Sequence, residues 1–186
     1  MIPFKIRRTL QKIPANEAEA IHFQEDTHQW MMKHPKQWRS KIFMKESPSL
    51  VAAVDISYPN TPNPSWGIAG LVLWDFSHNV LVKHLEEKVP ISFPYIPGCL
   101  GFRESLPIYK LLQKIKIKPD LLICDGHGRI HPRYFGEAVH LGLLAEIPSI
   151  GVAKNTYYGT IFSDSLCVTK GTHIPIFDPR KSGEIL

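Results

Sequence analysis

The spacing of hydrophobic positions predicts a helix near the N-terminus and a strand after it. A candidate N-cap at Asn16 precedes two acids and apolar residues spaced three or four apart, which predicts a helix over 16–34. Residues 35–49 are polar and contain two prolines, so we expect a connector there. The short apolar run 50–54 then predicts a buried strand that ends at an acid, Asp55.

The central part of the chain is predicted to form a hairpin and a helix. Two extended segments, Ile68–Phe76 and Val80–Val89, are joined by Ser77-His78-Asn79, a spacing typical of a β-hairpin. A proline-rich loop follows them. Apolar residues three or four apart then predict an amphipathic helix over 102–116.

The C-terminal half repeats the strand and helix alternation. The run LLICD predicts a second buried strand ending at an acid, Asp125, and a helix is predicted over 134–146. Another apolar strand is expected within 147–154, whereas residues 157–186 give no clear core signal. This order predicts a single α/β domain over residues 1–186, with a mixed β-sheet flanked by helices.

Composition narrows the functional classes. The 186 residues are 44% hydrophobic and 21% charged, which is typical of a globular domain and not of a disordered chain. No apolar run approaches the roughly 18 residues of a membrane span, and no secretory signal is visible. Three scattered cysteines favour reduced thiols, as expected of a cytoplasmic protein. We also expect a monomer with no membrane partner. The formal net charge of +5 modestly favours a polyanionic partner.

Three acids on separate elements are the candidates for chemistry. Asp55 and Asp125 each follow an apolar run, and on neighbouring parallel strands they would project from the same end of the sheet. Glu104 opens the helix between them. Such carboxylates suit Mg²⁺ or Mn²⁺ and metal-assisted hydrolysis. Strand-end aspartates also cap helices, and the helix dipole favours an acid in a first turn, so a structural interpretation stays open.

The loops contain further candidates. The glycines of Asp125-Gly126-His127-Gly128 would let a base or phosphate approach the backbone, although a tight turn needs them equally. His131 and Arg133 precede the next predicted helix and could hold a phosphate there. Lys154, at a strand end, is either a phosphate contact or merely solvated. The segment PYIPG (94–98) is either a rigid wedge for a base stack or a packing loop.

Together these segments resemble the endonuclease V family. The matching stretches, in family order, are VAAVDISY (51–58), PYIPGCLGFRE (94–104), PDLLICDGHGRIHPR (119–133), AVHLG (138–142) and IPSIGVAK (147–154). The resemblance covers residues 16–159, and 160–186 are expected to be an incomplete C-terminal part of the same domain. It implies a ribonuclease-H-like fold. It also implies a Mg²⁺-dependent deoxyribonuclease that cleaves the second phosphodiester bond 3′ to hypoxanthine (deoxyinosine) in DNA, as part of DNA repair.

The resemblance also implies roles for residues. Asp55 and Asp125 align with the metal-binding aspartates of the family, Glu104 with its catalytic glutamate, and Lys154 with its lysine near the scissile phosphate. The remaining residues belong to the substrate-binding parts. The wedge contains Tyr95, as its tip, and Pro97; the loops that line the base pocket contain Gly98, Leu100, Gly126 and Gly128, followed by His131 and Arg133.

Two other functions remain open. The family continues with a further strand and a helix carrying a Gly-His motif, and His173 does not resemble that motif. A shortened relative that binds inosine-containing nucleic acid without cutting it is therefore one alternative. A ribonuclease-H-like nuclease with no preference for inosine is another. The segment DGHGRIHPR is closer to bacterial members, which favours DNA over inosine-containing RNA.

Overall fold

The computed structural model describes residues 2–42, 48–162 and 169–186, with the backbone alone described for 39–42. These residues form five helices and five strands. The helices are α1 (Phe4–Leu10), α2 (Glu17–Lys33), α3 (Pro35–Ile42), α4 (Leu100–Leu112) and α5 (Glu137–Ala145). The strands are β1 (Leu50–Ser57), β2 (Trp66–Asp75), β3 (Val80–Pro90), β4 (Leu121–Cys124) and β5 (Ser149–Gly151). No helix in the described ranges has both the length and the apolar character needed to span a membrane.

The strands form one mixed sheet in the order β3-β2-β1-β4-β5. The β2–β3 hairpin is antiparallel, as predicted, and β2 also pairs antiparallel with β1. Strands β1, β4 and β5 are parallel, and their register places Val54 opposite Cys124. The two predicted acid-bearing strands are therefore neighbours, and Asp55 and Asp125 lie one residue beyond a paired position on each.

The main core lies between one face of the sheet and helices α4 and α5. Burial alternates along β1, because Ala52, Val54 and Ile56 face this core whereas Ala53 and Asp55 are exposed. A strand with one covered face shows this period of two. Other core members are Ala69, Leu71, Leu73, Ile108, Leu111, Leu122 and Leu141. A smaller cluster of Ala20, Phe93, Cys99 and Phe102 packs the loop after β3 against α2 and α4.

The structure corrects two predictions about local structure. The expected connector 35–49 is wrong over its first half, where Pro35 opens α3. Proline is well tolerated at a first helical position because the N–H that it lacks would have no partner there. The burial of Trp38, whose Nε1 donates to Met31 O at 2.6 Å, holds α3 against α2. Strand β1 also does not end at Asp55 but continues to Ser57, since its pairing with β2 extends that far.

Other predicted elements exist with shifted ends. Helix α4 begins and ends earlier than the predicted 102–116. Helix α5 begins at Glu137 and not at 134, because residues 125–136 form a loop. The predicted strand within 147–154 is only three residues long. The tail contributes isolated bridges of Phe177 with Thr160 and Ile185, which agrees with its weak core signal.

Candidate active site

A pocket of about 500 Å³ opens where the parallel strands end. Four of its lining residues are acids: Asp55 from β1, Glu104 from α4, Asp125 from the loop after β4, and Glu137 from α5. We call these four residues the acidic wall. Other lining residues are Gln24, Tyr95, Pro97, Gly98, Leu100, Gly126, His127, His131, Lys154 and Tyr157. The pocket therefore brings together the three acids singled out in the sequence and most of the other predicted site residues.

Glu104 is the most constrained of the predicted acids. It is 4% exposed, and its Oε1 accepts a hydrogen bond from Tyr58 Oη at 2.7 Å. Burial, together with the negative charges of Asp55 and Asp125, raises the pKa of Glu104 to about 7, against the opposing effects of the Tyr58 hydrogen bond and the charge of Arg103. A carboxyl group with a pKa near neutrality can exchange a proton at physiological pH.

Glu137 is a fourth acid that the sequence analysis did not identify. As the first residue of α5 it has the sequence signature of an ordinary first-turn acid, which gave no reason to single it out. It is 3% exposed, and within the described residues its Oε2 has no hydrogen-bond partner. Burial raises its pKa well above the usual range, and the charges of Glu104, Asp55 and Asp125 add to this effect.

Lys154 lies at the rim of the acidic wall. Its Nζ is 3.8 Å from Asp125 Oδ2, and its side chain is 85% exposed. An ion pair of this length and exposure holds the lysine only weakly. Lys154 can therefore reach an anion that enters the pocket, and its contact with phosphate stays a prediction.

The acidic wall is chemically suited to a hard divalent cation. Its donors are carboxylate oxygens, which Mg²⁺ and Mn²⁺ prefer, and among the described residues Glu137 Oε2 has no hydrogen-bond partner. Among the described residues no three His, Cys, Asp or Glu side chains lie close enough together to hold an ion unaided. Mg²⁺ keeps several waters and binds through one or two carboxylates plus substrate phosphate, so Asp55 and Asp125 would be sufficient protein ligands.

Another part of the pocket lining is a loop with an exposed aromatic tip. Tyr95 is 67% exposed. Behind it, the carbonyl oxygen of Gly98 accepts three hydrogen bonds, from Gln24 Nε2 (2.9 Å), His131 Nε2 (3.0 Å) and Arg133 Nη2 (2.9 Å). We call this arrangement the Gly98 clamp. Gly98 has φ +79°, a left-handed conformation that glycine adopts without steric cost, so the loop needs glycine at this position.

The two side chains expected to contact phosphate, His131 and Arg133, are instead hydrogen-bonded to the carbonyl oxygen of Gly98. Arg133 N donates to His131 Nδ1 at 3.2 Å, so the ring proton lies on Nε2, which donates to Gly98 O. Burial, and then the charge of Arg133, lower the pKa of His131 to about 4, so the ring is neutral. Arg133 Nε donates to Gln24 Oε1 at 2.6 Å. The expectation that these residues sit at a helix start is wrong, since α5 begins only at Glu137.

The structure also places the remaining predicted residues. Leu100 and Gly126 line the pocket, whereas Gly128 and Arg133 do not. Gly128 instead accepts a hydrogen bond from Gly136 N at 3.0 Å, which ties the loop to the start of α5. Tyr157, in a segment with no sequence signal, packs its ring 5.9 Å from that of His131.

The sequence does contain a signal for Gln24, which is a polar residue on the apolar face of a predicted helix. It is 2% exposed and shares the buried stripe of α2 with Ala20, Thr27 and Met31. A polar amide on the apolar face of a helix requires buried partners. Gln24 finds them in Gly98, Phe135 and Arg133.

The family model for endonuclease V matches residues 34–186, which is most of the chain and includes the tail. The chain belongs to the endonuclease V family. An endonuclease V from Trichormus variabilis is 48% identical over 173 residues, which cover 93% of this chain and 72% of that protein. One from Rippkaea orientalis is 40% identical over 136 residues, or 73% of this chain and 56% of that protein. The first curated relatives are matched over about half of their length, 56%, 48% and 54%.

Solved members of the family share the fold. The endonuclease V of Streptomyces avermitilis superimposes with a TM-score of 0.71 at 30% identity, covering 91% of this chain and 70% of that one. Ciona intestinalis endonuclease V, in complex with DNA containing an inosine followed by a ribo-adenosine, gives 0.55 at 31% identity, covering 70% and 58%. The predicted α/β fold, a ribonuclease-H-like mixed sheet flanked by helices, is confirmed.

Proposed function

We propose that this chain is a divalent-metal-dependent endonuclease that cuts DNA containing deoxyinosine, at the second phosphodiester bond 3′ to the hypoxanthine base. The single observation that carries the proposal is the grouping of Asp55, Glu104 and Asp125 in one pocket that the exposed Tyr95 also lines. Membership of the endonuclease V family supports a hydrolase acting on nucleic acid, with a role in DNA repair. The Ciona relative bound to inosine-containing DNA supports the choice of substrate.

Asp55 and Asp125 are the residues that would hold Mg²⁺, with Mn²⁺ as a substitute. Both line the pocket at adjacent strand positions, and Asp125 is 39% exposed, so it remains open to solvent and ligand. The bound cation would supply charge stabilisation for the transition state and lower the pKa of a water.

The protein's own groups then position the substrate. Glu104, fixed by Tyr58, orients the attacking water and can take up its proton, because the pKa of this carboxyl is about 7. Lys154 binds the scissile phosphate from the rim of the pocket. Glu104 is oriented before substrate arrives, which lowers the reorganisation required during the reaction.

The Gly98 clamp and Tyr95 recognise the damaged base. Tyr95 is exposed on a loop whose anchor is fixed by three hydrogen bonds, so it can enter a base stack without the loop giving way. A hypoxanthine turned out of the helix would lie against Gly98, Leu100 and Gly126 in the pocket. Unpairing a mismatched base costs little, which favours deaminated sites over normal pairs.

The test is a nicking assay on an end-labelled DNA strand with one deoxyinosine. We expect one product, cut at the second bond 3′ to the inosine, in Mg²⁺ or Mn²⁺ but not in EDTA. The matched substrate without inosine should stay intact, and an inosine-containing RNA measures the preference for DNA. Equal cutting of the inosine-free strand would contradict the proposal. Inosine-dependent binding by folded protein without product would instead support the binding-only alternative.

A further inference from the structure

Glu137 is a carboxylate whose burial has no compensation among the described residues. It is 3% exposed, its Oε2 accepts no hydrogen bond, and no described cation pairs with it. Ionising a carboxyl group in such a place costs several kcal/mol unless a positive charge matches it, so without a partner the group stays protonated. A cation that enters the pocket is the partner that would let Glu137 ionise.

The surroundings of Glu137 add negative charge rather than neutralise it. Asp55, Glu104 and Asp125 line the same pocket and repel it. The lysine that lines the same pocket, Lys154, approaches Asp125 at 3.8 Å with a side chain that is 85% exposed, so it lies at the rim. Four carboxylates thus share one pocket with a single loosely held lysine.

Backbone contacts fix Glu137 beside Asp125. Gly136 N donates to Gly128 O at 3.0 Å, and Ala138 N donates to His127 O at 3.1 Å, which ties the first turn of α5 to the loop after Asp125. A Cβ atom at Gly126 would overlap Glu137 Oε2, so the carboxylate lies directly against this loop. The helix dipole favours an acid at the start of α5, but it supplies no hydrogen bond to Oε2, which has none among the described residues.

We propose that Glu137 contributes a carboxylate to the divalent-cation site of Asp55 and Asp125, as a metal-site residue in addition to the three acids recognised in the sequence. The inference rests on the metal-dependent function proposed above. No three acids of the described residues are already close enough to enclose an ion, so Glu137 would act with the ion's own waters.

The test measures Mn²⁺ binding directly by titration calorimetry, with no nucleic acid present. Glu137→Gln keeps the shape of the side chain and removes its charge, and we expect Mn²⁺ affinity to fall about 10-fold or more. Glu86→Gln, which removes a 63% exposed carboxylate on β3, is the matched control and should bind within about twofold of wild type. Asp125→Asn should bind most weakly.

A second readout separates a metal-site role from a structural one. If Glu137 binds the cation, the metal-free Glu137→Gln and Glu137→Leu proteins should melt at or above the wild-type temperature, because both substitutions remove a buried carboxyl group whose Oε2 has no partner among the described residues. Unchanged Mn²⁺ affinity in Glu137→Gln, with Asp125→Asn impaired, would overturn this inference alone. A lower metal-free melting temperature with unchanged affinity would also overturn it. Absence of Mn²⁺ binding by folded wild-type protein would overturn both this inference and the proposed metal dependence.

Discussion

The Gly98 clamp and the acidic wall contribute residues to the same pocket, but they differ in how fully their polar atoms are hydrogen-bonded. In the clamp, both ring nitrogens of His131 and the amide of Gln24 have partners between 2.6 and 3.2 Å away. In the acidic wall, Glu104 accepts a hydrogen bond from Tyr58 at 2.7 Å, but Oε2 of Glu137 has no partner among the described residues, and Asp125 forms a long ion pair of 3.8 Å with Lys154. A satisfied network specifies one rigid shape, whereas unmatched carboxylates create a negative potential. The clamp is therefore suited to recognising the shape of a base, and the acidic wall is suited to binding a cation.

Asp125→Asn should have the largest effect, because it removes charge from the acidic wall with almost no change of shape. We expect the rate of inosine-dependent nicking at saturating Mn²⁺ to fall by about 1,000-fold or more, since a bound metal lowers the activation barrier by several kcal/mol. The control is Asp26→Asn, a 62% exposed position on α2. A rate within tenfold of wild type would remove Asp125 from the metal site.

Gln24→Leu should break the Gly98 clamp while leaving every acid in place. Arg133 Nε and Gly98 O would each lose a buried partner, which should lower the free energy of unfolding by about 1–3 kcal/mol. We also expect the preference for inosine-containing over normal DNA to shrink, because the base pocket loosens. Gln29→Leu makes the same change at an exposed position of the same helix and should alter neither quantity. Loss of stability with an intact inosine preference would show that the clamp serves folding alone.

The acidic wall was largely predictable from sequence and the Gly98 clamp was not. Asp55 and Asp125 stand out because each follows an apolar run, and this local signal also predicted the mixed sheet that makes them neighbours. The clamp joins residues up to 109 positions apart through a backbone carbonyl, and a carbonyl has no sequence signature. Tyr157 lies in a segment without periodicity, so nothing in the sequence connects it with His131.

Glu137 shows a different limit of the sequence. A glutamate after Gly136 is typical of any helix start, and its near-complete burial depends on how the loop before α5 folds back. The same loop explains why His131 and Arg133 were misplaced. Their proximity to a predicted helix suggested phosphate binding, but the loop turns both inward to the carbonyl of Gly98.

Glu104→Gln should distinguish the acidic wall from the Gly98 clamp, because the contributions of these two regions to stability change with pH in opposite directions. The pKa of Glu104 is raised by burial from its usual 4.5 to about 7, so between these values the folded protein holds a proton that the unfolded chain has released. Its contribution to stability is present below pH 4.5 and is lost as the pH rises through 7. Relative to wild type, metal-free Glu104→Gln should therefore gain about 1–3 kcal/mol of unfolding free energy between pH 4.5 and 7.5.

His131 in the Gly98 clamp should give the opposite slope. Its pKa is lowered by burial from 6.5 to about 4, so the unfolded chain takes up the proton first as the pH falls. Its contribution is present above pH 6.5 and is lost as the pH falls toward 4. Urea denaturation across this range, for wild type and Glu104→Gln, checks both directions. Parallel stability curves for the two proteins would contradict the assignment of a raised pKa to Glu104.

Lys154→Met should have the smallest effect on stability, less than about 0.5 kcal/mol, because its side chain is 85% exposed and its pair with Asp125 is 3.8 Å long. Its effect should instead appear in DNA binding. Loss of one phosphate contact lowers the slope of log affinity against log salt concentration by about 0.9. Lys83→Met, an exposed lysine on β3, removes the same charge far from the pocket and should leave the slope unchanged. An unchanged slope in Lys154→Met would leave the acidic wall without a phosphate contact of its own, and Lys154 would then only moderate the charge of Asp125.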